Sequence, residues 1–351
     1  MNLHTRIRNA LLAVALLFAG AGTAAAQTPD SAFAVSSGGQ GLFRVNVDAG
    51  ALHGGTYDGD ASGTGVPAEG SGTRMMWYPR KAAFRAGYIN GTQWDAANIG
   101  AYSVAMGINV RASGDSSIAL GASATAAQAG SFAAGVHVTA SGAASVAMGY
   151  AAHTNARQGS FVFGDRSTVD TLRAGVNHSA NWRVSGGFRI FTSSNLSTGV
   201  TIQSGAVTSN WGQSNAVIST STGAYLSTSG VWTNTSDVNR KHGFAHVDGE
   251  GVLGRLRDLP ITSWSYKVDP DDVRHLGPTA QDFSAAFGLG NDNRVIGTVD
   301  ADGVALAAAK ALEARTTAQA ARIDALEREN AELRARLDRI EAMLSAPANK
   351  P

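Results

Sequence analysis

Between residues 103 and 164 the apolar side chains come in short, evenly spaced bursts. "SVAMG" begins at Ser103, "SIALG" at Ser117, "SFAAG" at Ser131, "SVAMG" at Ser145 and "SFVFG" at Ser160. The spacings are 14, 14, 14 and 15 residues, with Gly100, Gly114, Gly130, Gly142 and Gly159 placed between the bursts. A fixed short period with glycine punctuation predicts a β-solenoid with one coil per repeat. At about 3.3 Å per residue, a repeat of this length gives a coil perimeter of about 46 Å and a thin core. Side chains alternate along a strand. Val104 and Met106 therefore share one face and Ala105 takes the other, and Ile118 and Leu120 stand against Ala119 in the same way. The expectation is that the large residues fill the interior, while the alanine face lets another chain approach closely. A thin coil with an apolar outer face is expected to associate.

The flanks have different patterns. Residues 27–97 are irregular and rich in turn segments ("SSGGQ", "AGALHGG", "GDASGTG"), with one strand-like run, "LFRVNV", at 42–47. The aromatic and basic cluster "MMWYPRKAAFRAGYINGTQW" (75–94) reads as a cap over the first coil; a carbohydrate or phosphate patch is the second reading. After the repeats, residues 167–235 carry short Thr/Ser/Val/Gly-rich runs that predict a slender β-rich connector. Further on, 250–259 predicts a helix stopped by Pro260, 261–268 a strand, and 279–290 a helix with a glycine stop. A long helix ends the chain. From Ile323 it shows heptads, with Ile323, Asn330, Leu337 and Leu344 at a and Leu326, Leu333 and Ile340 at d. Arg322–Glu327, Glu329–Arg334 and Arg336–Glu341 match as g–e pairs and favour a parallel homo-oligomer. Asn330 leans toward two strands; Leu337 with Ile340 leans toward more.

Charge divides the chain. Residues 27–236 hold 11 Lys/Arg and 9 Asp/Glu, whereas the shorter span 237–351 holds 15 and 18, which marks a domain boundary near residue 236. The formal net charge of +1 argues against a broad nucleic-acid face, and the absence of cysteine excludes disulfides and thiolate metal sites. Residues 1–26 read as a signal peptide: Arg6 and Arg8, an apolar run from Ala10, then Ala24-Ala25-Ala26 before a cut ahead of Gln27. No later apolar run is long enough to span a membrane, and no C-terminal strand series suggests a barrel anchor. The expectation is export without a self-encoded membrane anchor, to the surface or surroundings of a Gram-negative bacterium.

The candidate chemistry lies at the charge boundary. No charged residue occurs from Ile190 to Ser236; then Asp237, Arg240 and Lys241 follow. A serine beside a lysine can be a nucleophile with its base where burial leaves the amine neutral. Spacing alone more often means a turn with a surface lysine. "DADG" (300–303) lacks the later ligands of a calcium loop, and the histidines show no metal spacing, so neither metal nor cofactor is expected.

Two resemblances give these patterns a context. The "SVAMG…ASG" repeats over 98–166 resemble the YadA-type head of trimeric autotransporter adhesins, which implies left-handed parallel β-rolls from three chains packed about one axis. The ordered series "GVWTNTSDVNRK", "LRDLPITSWSYK", "HLGPTAQDFSAAFGLG" and "TVDADGVALAAAKAL", followed by the coiled coil, resembles the endosialidase-type intramolecular chaperone. That resemblance implies a trimerising chaperone that cuts its own chain between Ser236 and Asp237. Ser236 and Lys241 are the implied catalytic pair; Val238 and Arg240 stand where the family usually has a basic residue and a leucine.

The expected plan is therefore a mainly β chain. It comprises a signal peptide (1–26), an N-terminal cap (27–97), a trimeric left-handed β-roll solenoid (98–166) and a β connector (167–235). A mixed α+β chaperone and self-cleaving peptidase (236–315), a parallel coiled coil (316–345) and a disordered tail (346–351) follow. The implied protein is an exported homotrimeric adhesin-like or fibre-like protein, with a host surface or glycan as possible ligand and at most a single-turnover serine–lysine peptidase activity. The alternatives are a glycan-binding or glycan-hydrolysing tailspike and a phage tail fibre. Asp115 and Asp165, the only carboxylates of the repeat region, are too far apart in repeat order for a glycosidase pair.

Overall fold

The computed structural model describes residues 31–37, 40–46, 50–61, 63, 65–204, 211 and 213–345. The expected signal peptide and the tail from 346 lie outside the described residues. The chain divides into two compact units. The first runs to Ser221 and includes Leu226–Val231; the second contains Thr222–Tyr225 and everything from Trp232 onward.

The described residues of the first unit form β strands and two 3-10 turns, Pro79–Lys81 and Ala96–Asn98. Strands Ser31–Ser37, Gln40–Asn46 and Gly50–His53 form an antiparallel meander. A hairpin follows, Gly72–Tyr78 with Ala83–Ile89, turned through a 3-10 helix at Pro79–Lys81. The second hairpin strand then pairs, in parallel, with the first repeat strand.

Each repeat contributes one long and one short strand. The long strands Val104–Ile108, Ile118–Ala122, Phe132–Val136, Val146–Tyr150 and Phe161–Gly164 stack parallel and in register, Ala105 on Ala119 on Ala133 on Ala147 on Val162. The short strands Arg111–Ala112, Thr125–Ala126, Thr139–Ala140, Ala152–His153 and Leu172–Arg173 make a second parallel sheet. The repeated serine closes the turn before four of the five long strands, the exception being Ser117, whose buried hydroxyl has no hydrogen-bond partner among the described residues. In the other four the hydroxyl donates to the carbonyl three residues back: Ser103 to Gly100 (2.6 Å), Ser131 to Gln128 (2.6 Å), Ser145 to Gly142 (2.6 Å) and Ser160 to Arg157 (2.8 Å). The repeated glycine has a steric cause. Gly121 has φ +111°, and a Cβ there would lie 2.2 Å from the carbonyl oxygen of Gly135 on the next rung.

The two faces of the long strands are the reverse of the sequence expectation. Ala105, Ala119, Ala133, Ala147 and Val162 are fully buried, whereas Met106 is 44% exposed and Val104, Ile118, Leu120 and Phe132 are half-buried on the outside. The reason is room. The interior is shared with inward residues on and just before the short strands (Val110, Ala112, Ala124, Ala126, Val138, Ala140), which leaves the long strands room for alanine and valine along most of the stack. The large residues therefore cover the outer face of the long-strand sheet.

Two side chains close the first coil. Arg85 sits in register with Ala105, wholly buried. Its guanidinium donates to the carbonyls of Phe84 (2.8 Å), Ser103 (2.9 Å) and Ala112 (3.0 Å) and to the Ser103 hydroxyl (2.8 Å). Burial pushes its pKa down to about 10, still cationic at neutral pH. Trp94, also fully buried, donates its indole N–H to Val110 O (3.0 Å). At the far end the stack carries one more rung than the sequence motif showed: Ala180–Arg183 pairs with Phe161–Gly164. Arg183 there bonds Asp165 Oδ1 (3.1 Å). Strands Phe188–Phe191, Gly199–Ile202 and Ala216–Thr220 then continue as an antiparallel meander.

The described residues of the second unit include three α-helices and a small hairpin. Helix α1 spans Gly249–Asp258; the strands Thr262–Trp264 and His275–Gly277 pair antiparallel; α2 spans Ala280–Phe287; α3 spans Thr298–Ser345. Thr279 caps α2 by accepting from Asp282 N, and Gly288 ends it at φ +65°. Val252, Leu259, Phe283, Val304 and Ala308 form the core. Residues 300–303, weighed as a calcium loop, lie inside α3. Beyond Ala311 the helix buries nothing, and Ile323, Leu326, Leu333, Leu337, Ile340 and Leu344 stand exposed along it. No helix among the described residues is long and apolar enough to cross a membrane.

Candidate functional site

The site lies at the charge boundary, within the second unit. After Ser236 the chain makes one 3-10 turn, Val238–Arg240. Asp237 caps it: its Oδ1 accepts from Asn239 N (2.9 Å) and from the Asn239 amide side chain (3.0 Å). The turn closes through Arg240 N to Asp237 O and Lys241 N to Val238 O, both 3.1 Å. A tight turn of this length brings the side chain at its end back to the residue before it. Lys241 Nζ accordingly lies 2.6 Å from Ser236 Oγ. The structure thus brings together the two residues singled out as nucleophile and base, beside the Ser236–Asp237 bond.

Three further residues anchor this turn. Thr235 Oγ1 (3.3 Å) and Arg240 Nη1 (2.7 Å) both donate to one carbonyl oxygen, that of Thr222. Gly223 makes the approach possible. At φ +89°, a Cβ there would meet Thr235 Oγ1 at 2.4 Å and Arg240 Nη1 at 3.0 Å. Sequence reasoning passed over Thr222, Gly223 and Thr235, because the chain must fold back over more than ten residues before they meet; the glycine within an otherwise Ser/Thr-rich run was the one available signal.

Ser236, Asp237 and Lys241 are exposed in the single chain. A lysine amine takes a proton only in its neutral form, which desolvation favours.

The carboxylates weighed for glycan hydrolysis lie apart. Asp115 precedes the strand Ile118–Ala122 and Asp165 follows Phe161–Gly164, three strand spacings away. At about 4.8 Å per spacing that is at least about 14 Å, beyond the roughly 5–9.5 Å of glycosidase pairs. Each also has structural partners. Asp115 accepts from Ala101 N (2.9 Å). The Ser167 hydroxyl, then the backbone N–H and hydroxyl of Ser185, hold the Asp165 carboxyl well below the usual range.

Residues 236–288 match the family model for the chaperone of endosialidase. The match opens on Ser236 itself and spans Lys241, α1, the hairpin and α2. The resemblance to that chaperone is thus carried by the C-terminal segment; the comparisons do not reach the repeats. No curated protein and no solved structure matches the chain.

Proposed function

We propose that this chain is an exported homotrimeric fibre- or adhesin-like protein whose C-terminal domain directs folding of the upstream β structure and then cuts itself away between Ser236 and Asp237. The observation that carries the reading is the coincidence at Ser236: the chaperone match begins there, and there Lys241 Nζ lies 2.6 Å from the hydroxyl.

Two exposed apolar surfaces support a trimer. The outer face of the long-strand sheet carries Val104, Met106, Ile118, Leu120, Phe132 and Phe161, while the short-strand sheet shows Arg111, Thr125, Thr139, His153 and Arg173 outward. A coil that is apolar on one side only has one face to bury. Three such rolls packed on that face, left-handed as in the YadA-type heads, would bury it. The bare heptad stripe of α3 supplies a parallel coiled coil that holds the chains in register and raises their local concentration.

In the cut, Lys241 takes the Ser236 hydroxyl proton and the oxygen adds to the Ser236 carbonyl carbon. The C–N bond to Asp237 breaks, and that nitrogen leaves protonated as a new amino terminus. Water then opens the ester and restores the hydroxyl. Attack by a serine on its own carbonyl closes a strained four-membered ring, consistent with one slow turnover per chain; the hydroxyl of a neighbouring copy would reach the same carbon without that ring.

Intact-mass measurement of the purified protein tests the reading. The expected result is a cut chain plus a fragment beginning at Asp237, with Ser236→Ala and Lys241→Ala remaining full-length trimers. Mixed trimers of wild-type and Ser236→Ala chains separate the two routes, because attack between copies cuts the alanine chain as well. Soluble, compact trimer from residues 27–236 expressed alone would refute the chaperone role.

A tailspike-type fibre shares the chaperone and the trimer, and the endosialidase in the family's description favours keeping it as the second reading. The separation of Asp115 from Asp165 counts against hydrolysis by the repeats.

A further inference from the structure

We propose that Arg240 and Thr235 are positioning residues: by gripping the single carbonyl oxygen of Thr222 they align the Ser236–Lys241 pair, so that the cut waits until residues 222–235 have folded back on themselves. This rests on the self-cleaving reading above and deepens it by naming what licenses the reaction.

The geometry is specific. Thr235 immediately precedes the serine and Arg240 immediately precedes the lysine. Their donors, at 3.3 and 2.7 Å, converge on one acceptor with two lone pairs. The turn that carries Ser236 and Lys241 is thereby held at both ends against a third point of the chain. Within the turn, the Asp237 cap and the two backbone bonds order the loop locally. They do not fix it to anything else; the two bonds to Thr222 do. The Arg240 bond is charge-assisted, which makes it the stronger of the two.

The acceptor's position makes the grip informative. Thr222 comes two residues after the strand Ala216–Thr220, at the end of the uncharged run. Its carbonyl can meet Thr235 and Arg240 only after the intervening residues have turned back. An unfolded or misregistered chain lacks this acceptor and leaves the Ser–Lys turn unanchored. Gly223 guards the same contact sterically, since any side chain there would displace both donors. Arg240 thereby acquires a role that an apolar residue cannot perform.

The test follows cutting in the full chain after assembly, together with trimer content and amide exchange over residues 235–241. Arg240→Ala, Thr235→Val and Gly223→Ala should each assemble as trimers and cut roughly tenfold more slowly, the loss expected of one anchoring hydrogen bond to or from a charged group or its partner. Arg240→Lys should recover to within about threefold of wild type, because one N–H to carbonyl contact is within an ammonium's reach. A merely structural role would not produce that recovery with trimer content unchanged. Cutting of Arg240→Ala at the wild-type rate overturns the proposal, as does Arg240→Lys no faster than Arg240→Ala. If Arg240→Ala fails to assemble, the Thr235→Val and Gly223→Ala rates decide in the same way. If the wild-type chain is not cut at all, the self-cleaving reading fails, and exchange then judges the grip: faster exchange of residues 237–241 in Arg240→Ala supports it, and unchanged exchange refutes it.

Discussion

Ala133→Leu tests the reversal of the two faces of the coil. Ala133 is fully buried, stacked in register between Ala119 on one rung and Ala147 on the next, both also fully buried. Strands in such a sheet lie about 4.8 Å apart, so three added carbons have no space along the stack and only Val138 and the inward alanines across it. Overpacking of this kind costs about 1–3 kcal/mol. For a unit of some 200 residues, 2 kcal/mol lowers Tm by about 4–8 °C. The matching change on the other face is Leu120→Ala. Leu120 points outward and is half-buried in the single chain. Its loss should cost little within the coil and up to about 2 kcal/mol per chain where a neighbouring copy covers it, at about 0.8 kcal/mol per buried CH2. The assay is thermal unfolding at a fixed scan rate over a hundredfold range of protein concentration. Ala133→Leu should lower the midpoint by the same amount at every concentration, while the effect of Leu120→Ala should be largest where the chains are associated and shrink on dilution. A neutral Ala133→Leu together with a concentration-independent loss for Leu120→Ala would place the large residues inside and refute the reasoning.

Three other outcomes are expected. Arg85→Met keeps the volume of the stem but strips donors from the Ser103 and Ala112 carbonyls and the Ser103 hydroxyl; the first coil should lose about 2 kcal/mol, read as a lower urea midpoint with an unchanged slope. His153 is held below its ordinary pKa first by burial and then by Arg173, and its Nδ1 accepts from Asn155 N (2.7 Å). The unfolded chain therefore binds that proton first, so His153 stabilises above a pH of about 6.5 and loses this contribution as pH falls below it; His153→Gln should flatten the difference between urea midpoints at pH 7.5 and 5.5. Ile340→Lys puts a charge into the exposed stripe of α3, where Ile340 is 54% exposed in the single chain. It should leave the monomer folded, reduce trimer content in light scattering, and suppress cutting with it; normal trimers would show that the stripe is not a contact surface.

Much of this protein could be read from one dimension. A period of 14 predicts rungs because each repeat is too short to do anything but return beneath the last, and the structure stacks them parallel and in register. The Ser236–Lys241 contact was also legible, since a five-residue turn joins its two ends by local geometry. The inward and outward faces were not. Alternation says which side chains share a face and leaves open which face is inside; that was decided by the narrow gap between the long and short strands, which admits Ala105 and Ala119 and expels Met106 and Leu120. The last rung lacked the serine-to-glycine motif, and only its pairing with Phe161–Gly164 places it in the stack. Arg85 at the mouth of the coil, and the convergence of Thr235 and Arg240 on Thr222, likewise depend on residues far apart in sequence meeting through the fold. Sequence by itself determined what is periodic or local: the rungs, the helices and the Ser–Lys turn. Tertiary structure decided what depends on the space left between elements and on the return of the chain: which residues form the interior, what closes its ends, and what holds the turn in place.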